Sequence, residues 1–211
     1  MATCDLVSGR LFSECLSGRA GIKTLFFTKF NDFSALTGIV ESGGEITSLG
    51  ADPITIYRFE MGTRVGNFEQ PVTSSKENGT AFVTHTITLS LFNILPADIS
   101  IINALKRGRW AVWALDYEGK IRLFGRFVGC VSSSGSDVSG AAPGDKNGLN
   151  LILTAMENDK APFMADYTTN PFDNFGNVTV TPSYTTPSPS SPTADSTTVT
   201  ADDTTITVDS L

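Results

Sequence analysis

From Thr80 to Phe92 the side chains alternate between two faces with a period of two, and a run of that length has one regular home, a long β-strand. Val83, Ile87, Leu89 and Leu91 fall on one face, and Phe82, Thr84, Thr86, Thr88 and Ser90 on the other. His85 lands among the apolar positions. Its expected role is that of a core-edge histidine held by one hydrogen bond, because catalytic use needs a positioned partner and the chain has no second histidine.

Other segments repeat the strand signal. Gly21 to Phe30 is apolar on both faces, which predicts a strand covered on both sides. A shorter run follows from Ala35 to Val40, and Gly43-Gly44 breaks it. Pro53 to Phe59 alternates again. Arg109 to Asp116 and Lys120 to Val128 read as a hairpin around Asp116-Tyr117-Glu118-Gly119, with Leu123, Phe124, Phe127 and Val128 in the core. Residues 132–148 read as a Ser/Gly/Asp loop, and Leu149 to Met156 as a last core strand. The 14 Phe and the Thr-rich background suit pleated, half-buried surfaces.

One helix is expected, Pro96 to Arg107. Pro96 suits a first turn, Asp98 sits near the positive end, Lys106 and Arg107 sit near the negative end, and Gly108 stops it. Leu95, Ile99, Ile102 and Leu105 would form its buried stripe. Met61 to Thr80 is long for a plain connection and reads as an extended hairpin arm turning at Asn78-Gly79.

Beyond Phe163 the composition shifts. Residues 177–211 carry 11 Thr, 6 Ser and 4 Pro, too polar to bury a core alone. The run Thr181 to Pro192 is linker-like, yet Val178 to Val180, Val199 and Ile206 to Val208 keep a period-two alternation that could pair with another subunit's sheet edge. The expected organisation is a β domain over 1–165 and an extended tail over 166–211. The net charge of −7 belongs to that tail: no Lys or Arg follows Lys160, and six of the 22 acids do. The remaining 16 acids face 15 bases, a balance that argues against a nucleic-acid grip built on counterion release.

Catalytic and metal signatures are missing. There is no phosphate-binding Gly-x-x-x-x-Gly-Lys loop, no Gly-x-Ser-x-Gly elbow and no Cys-x-x-Cys pair. Asp116 and Glu118 sit in a turn where charge is usually just solvated. The chain is expected to be no enzyme and to need no cofactor. Cys4, Cys15 and Cys130 are an odd set; a Cys4–Cys15 disulfide and reduced thiols are both open, with a cytoplasmic assembly site favouring the latter. No signal-peptide pattern and no membrane-length apolar run occur, so assembly in a host cytoplasm is expected.

The order of features is itself suggestive. Cys4 and Cys15 precede Gly21-Ile22-Lys23 at a strand start; Glu77-Asn78-Gly79-Thr80 opens the long alternating strand. A short helix follows, then the hairpin Trp110 to Gly125, then Gly144-Asp145-Lys146-Asn147-Gly148 leading into Leu149-Asn150-Leu151. Over roughly residues 1–165 this resembles virion structural proteins of Bacteroides-infecting phages, including crAss-like phages. The resemblance implies a tail-tube-like fold, mainly β, a sandwich or partly closed barrel with one flanking helix. It also implies homomeric rings in the tail or neck around the DNA ejection channel. The implied partners are copies of itself, other tail, portal or neck proteins, and genomic DNA in transient passage, with no membrane. Phe68, Gln70, Val72 and Asn78 on the arm, and Val178, Val180, Val199, Ile206 and Val208 on the tail, are the expected subunit-interface residues. The alternative is a secreted or surface glycan-binding β-sandwich, stacking sugars on Trp113 or Tyr117.

Overall fold

The computed structural model describes residues 19–61, 66–92, 94–142 and 144–182. The first half holds β1 (Ile22–Lys29), α1 (Phe30–Ser34), β2 (Ile39–Ser42), β3 (Glu45–Leu49), β4 (Ile54–Glu60), β5 (Asn67–Glu69), β6 (Val72–Ser75) and β7 (Thr80–Phe92). The second half holds α2 (Asp98–Arg107), β8 (Arg109–Asp116), β9 (Ile121–Phe124), β10 (Cys130–Val138), β11 (Gly148–Glu157), β12 (Phe163–Met164) and β13 (Val178–Thr181). The fold is mainly β, an open sandwich-like sheet that does not close into a barrel.

The sheet is organised by its most apolar pair. β1 and β8 run antiparallel from Ile22 opposite Asp116 to Lys29 opposite Trp110, with a bulge between Ile22 and Thr24. One edge of β8 carries β1; the other splits between β9, at Val112 to Leu115, and β10, at Arg109 and Trp110. The sheet therefore forks. One branch continues through β9, β12, β3 and β2, the other through β10, β11 and β7. β4 extends β1 and is itself extended by β13 in parallel.

The fork creates two cores, one on each face of β1 and β8. Leu25, Phe27, Val112 and Ala114 join Ile87, Leu89, Leu151 and Leu153 in the first. Phe26, Ala111, Trp113 and Leu115 join Ile46, Ile56, Leu123 and Phe172 in the second. The bulge explains why Ile22 and Phe27 share a core although simple alternation separates them: one extra residue shifts the side-chain phase. Cover on both sides of β1, expected from its sequence, is what the fold provides.

Several sequence expectations need correction. Ala35 to Gly38 is not strand; a short α1 with Phe30 and Phe33 buried intervenes, Phe33 reaching the second core, and the strand starts at Ile39. Residues 132–138 are not loop but part of β10, because the β11 backbone offers a long antiparallel register that overrides the weak strand propensity of Ser and Gly. The strand after the hairpin stops at Phe124. Gly125 takes φ +66°, and a Cβ there would sit 2.6 Å from the Cys130 nitrogen, so the chain turns and leaves Phe127 and Val128 on the surface.

The boundary at residue 165 also moves. Phe172 and Phe175 are buried, with Phe172 edge-on to Phe26 at 5.1 Å and to Trp113 at 5.8 Å. Burying two phenyl rings ties residues up to 182 into the domain. Asp173 closes this segment, accepting hydrogen bonds from the Thr168 hydroxyl and from the backbone N–H groups of Thr168, Thr169 and Asn170. Those donors hold its carboxyl well below the usual carboxylate range.

Candidate interaction surfaces

The expected arm folds back on its own sheet. β6 pairs with β7 from Val72 opposite Val83 to Ser75 opposite Thr80, and β5 pairs with β7 from Asn67 to Glu69. The Asn78-Gly79 turn is present, with Gly79 at φ +62° and the Asn78 N–H bonded to Ser75 Oγ at 3.3 Å. Phe68 packs on the first core, its ring 5.1 Å from Phe124. Gln70 uses its Oε1 internally, accepting the Ala161 N–H at 2.8 Å. Of the four arm residues assigned to an interface, Val72 and Asn78 stay on the surface, Val72 at 60% exposure. Phe68 and Gln70 serve the fold, so a projecting arm is not what the described residues 66–80 make.

The tail residues divide similarly. Val178 and Val180 pair with Ile54 and Ile56 of the same chain and are half-buried against the second core. That assignment to another subunit's edge is corrected: β4 of the same chain supplies the edge. Val199, Ile206 and Val208 lie outside the described residues.

Unpaired edge is available elsewhere. β10 meets β8 only at Cys130 and Val131, so from Ser132 to Val138 its second edge has no strand partner among the described residues. Beside it, Ile99, Ile102 and Leu151 line a groove of about 570 Å³ between α2 and β10. Small side chains (Ser132 to Ser136, with Gly135) leave that edge open to close approach by another backbone.

α2 contributes a second surface. Its expected stripe is buried at Leu105 alone; Ile102 is partly covered, whereas Leu95 and Ile99 are 56% and 49% exposed, and Ile101, outside that stripe, is 45% exposed. The correction has a geometric cause, since only the C-terminal end of the helix is drawn to the sheet. There Trp110 donates from Nε1 to the Leu105 carbonyl at 2.9 Å. Its indole folds back so closely over Gly108 that a Cβ there would meet it at 2.5 Å. A third patch lies at the other end of β10 and β11, where Phe127, Val128, Val131 and Met156 are all exposed.

The polar residues inside the domain hold structure. His85 is 2% exposed, and its Nε2 donates to the Asp159 carbonyl at 3.1 Å, the single bond expected of it. Its Nδ1 has no partner. Burial pushes the imidazole below its ordinary pKa, against the opposing pull of that bond and of Glu157. The buried Cys130 thiol is pushed far up by the same desolvation and by Glu157, so it stays protonated and a poor nucleophile. Asp116 closes its turn by accepting the Glu118 and Lys120 N–H groups. Among the described residues, no cluster of three or more His, Cys, Asp or Glu side chains is placed to hold a metal ion. Trp113 is fully buried, which removes it as a sugar-stacking platform.

Sequence reasoning missed Glu157. Its carboxylate is buried and accepts the N–H groups of Phe127, at 3.0 Å, and Val128, at 2.9 Å, pinning the turn after β9. The signal was present: Glu157 continues the inward series Leu149, Leu151, Leu153 and Ala155.

No helix among the described residues is long and apolar enough to cross a membrane. Comparison with known families, curated proteins and solved structures gives no match.

Proposed function

We propose that this chain is a structural, self-assembling subunit of a bacteriophage particle, one that forms a homomeric ring in the tail or neck around the DNA ejection channel. The observation that carries this reading is the open sheet. Among the described residues its β10 edge runs unpaired beside an apolar groove, and α2 presents Ile99 and Ile101 outward, so the domain leaves backbone and apolar surface that a copy could cover. Ring closure covers edges without a free end, which suits a chain that stays in solution until it assembles.

The charge balance fits the same role. A body near neutrality with an acidic tail has little to hold phosphate, and DNA must slide through such a channel without sticking. The β10 edge takes the place of the 61–80 arm as the contact between subunits, because β5 and β6 are engaged with β7.

Mass photometry of the purified full chain, with negative-stain microscopy alongside, tests the proposal. Closed rings are the expected result. A chain that stays monomeric at every concentration, alone and with portal or neck proteins added, overturns it.

A further inference from the structure

The groove between α2 and β10 carries opposite charge at its two ends. β8 begins at Arg109, opposite Val131, so α2 ends beside Ser132, and Lys106 and Arg107 line the groove there. Asp137 lines it at the other end of β10. All three side chains are exposed, and none has an ion-pair partner among the described residues. Asp137 stands opposite Leu149, and side chains directly opposite in a sheet share a face, so Asp137 lies on the face that α2 packs against.

An open edge with its charges placed this way is complementary to itself. Turning a second copy by a half-turn about an axis normal to the sheet lays its β10 antiparallel beside the first, with both helices on the same face. The anionic end of each groove then meets the cationic end of the other. Charge also selects the register. With the axis at Ser136 the two Asp137 residues stand only ~7 Å apart along the strands, whereas with the axis at Gly135 they stand ~13 Å apart, at ~3.4 Å per residue. In the second register Ser134 lies opposite Ser136 of the second copy, and Asp137 opposite Ser133, next to the cationic end. The bulge between Ser132 and Ser134 ends the regular run of β10 at that point.

We infer that two copies of this chain pair β10 to β10 about a two-fold axis at Gly135, with Asp137 of each copy set against Lys106 and Arg107 of the other. The pairing continues the sheet across the axis and brings both grooves, with Ile99 and Ile102 in each, to one seam. It rests on the proposed self-assembly through β10 and adds the symmetry of that contact. A two-fold contact is complete within a pair, so a ring built on it closes through a second surface and holds an even number of copies.

Charge reversal in the full chain tests it. Sedimentation velocity reads the pair, mass photometry reads larger assemblies, and urea midpoints show that each variant is folded. The variants are Asp137→Lys, Lys106→Glu with Arg107→Glu, and all three substitutions together. Each of the first two sets like charges against each other at both ends of the seam and should weaken pairing about ten-fold or more; the triple variant restores opposite charges and should return to within about three-fold of native. Closed assemblies should hold even numbers of copies. Reversals without effect, a folded triple variant as weak as the first two, or closed rings with an odd number of copies would overturn the two-fold contact and leave ring formation standing. A native pair that never closes into a ring supports the contact and counts against the ring. A native chain that stays monomeric at every concentration overturns both.

Discussion

β1 and β8 bury both of their faces, whereas α2 barely buries one. In the strand pair, Phe26, Phe27, Val112 and Trp113 are each 0% or 1% exposed, and every large apolar side chain has a place inside the domain. In α2 only Leu105 reaches that state, although Ile99, Ile101 and Ile102 offer the same chemistry. Both regions draw on similar residues, so the difference lies in what the chain folds around. The strand pair is where two cores meet, and its apolar content is used up by the fold. The helix packs on the sheet by its last turn, and the described residues leave Ile99 and Ile101 exposed.

The largest effect should come from emptying the doubly covered centre. Trp113 stacks edge-on against Phe33, at 5.6 Å, and Phe172, so Trp113→Ala removes the joint between β8, α1 and the 170–176 segment. Urea unfolding should show a loss of about 3–5 kcal/mol. Trp113→Phe sharpens the point. The Nε1 of Trp113 has no hydrogen-bond partner, so a ring without that donor should cost less than ~1.5 kcal/mol. A large loss in Trp113→Phe would mean that the indole does more than fill space.

Next comes Glu157, which holds the turn between β9 and β10. Glu157→Ala leaves the Phe127 and Val128 N–H groups without their acceptor, and a loss of about 2–3 kcal/mol is expected in the same unfolding assay. This residue also shows how far sequence can be read. The two-faced character of β1, the limits of β7 and the Asn78-Gly79 turn follow from period and turn chemistry, which are local. β10 did not, because nothing in Ser132 to Val138 asks for a strand until β11 lies beside it. The fate of Phe127 and Val128 was hidden for a like reason: their apolar side chains argue for the core, but Gly125 and the distant Glu157 carboxylate decide the path of the backbone. For the interface residues, exposure was readable only where no tertiary partner existed, so Val72 and Asn78 stayed outside while Phe68 and Gln70 were drawn in.

A smaller effect depends on pH. Burial holds the His85 pKa below its ordinary 6.5, so the unfolded chain binds a proton more readily than the folded one. His85 therefore adds stability that is fully present above about pH 6.5 and is lost as pH falls through the lower folded value. Urea midpoints measured between pH 7.5 and 5 should drop as the solution is acidified. In His85→Gln the part of that slope due to the imidazole should vanish, while the part due to carboxylates such as Asp173 appears only at lower pH. An unchanged slope in the variant would mean that His85 is already as free to protonate in the folded domain as in the unfolded chain.

The smallest effect on stability should come from the helix. Ile99 is 49% exposed and lines the groove beside the β10 edge, so Ile99→Gln removes little that the isolated domain uses. Its unfolding free energy should stay within ~0.5 kcal/mol of the native value. Association is a different matter. If the apolar excess of α2 is there to be covered by a copy, the same substitution should weaken self-assembly in mass photometry while leaving the monomer's stability intact. The contrast with Trp113 is then complete in both directions: a central residue that governs folding, and a peripheral residue of similar chemistry that governs what the folded domain meets. Ile99→Gln that destabilises the monomer by as much as Glu157→Ala would break the comparison, because α2 would then belong to the core that β1 and β8 organise.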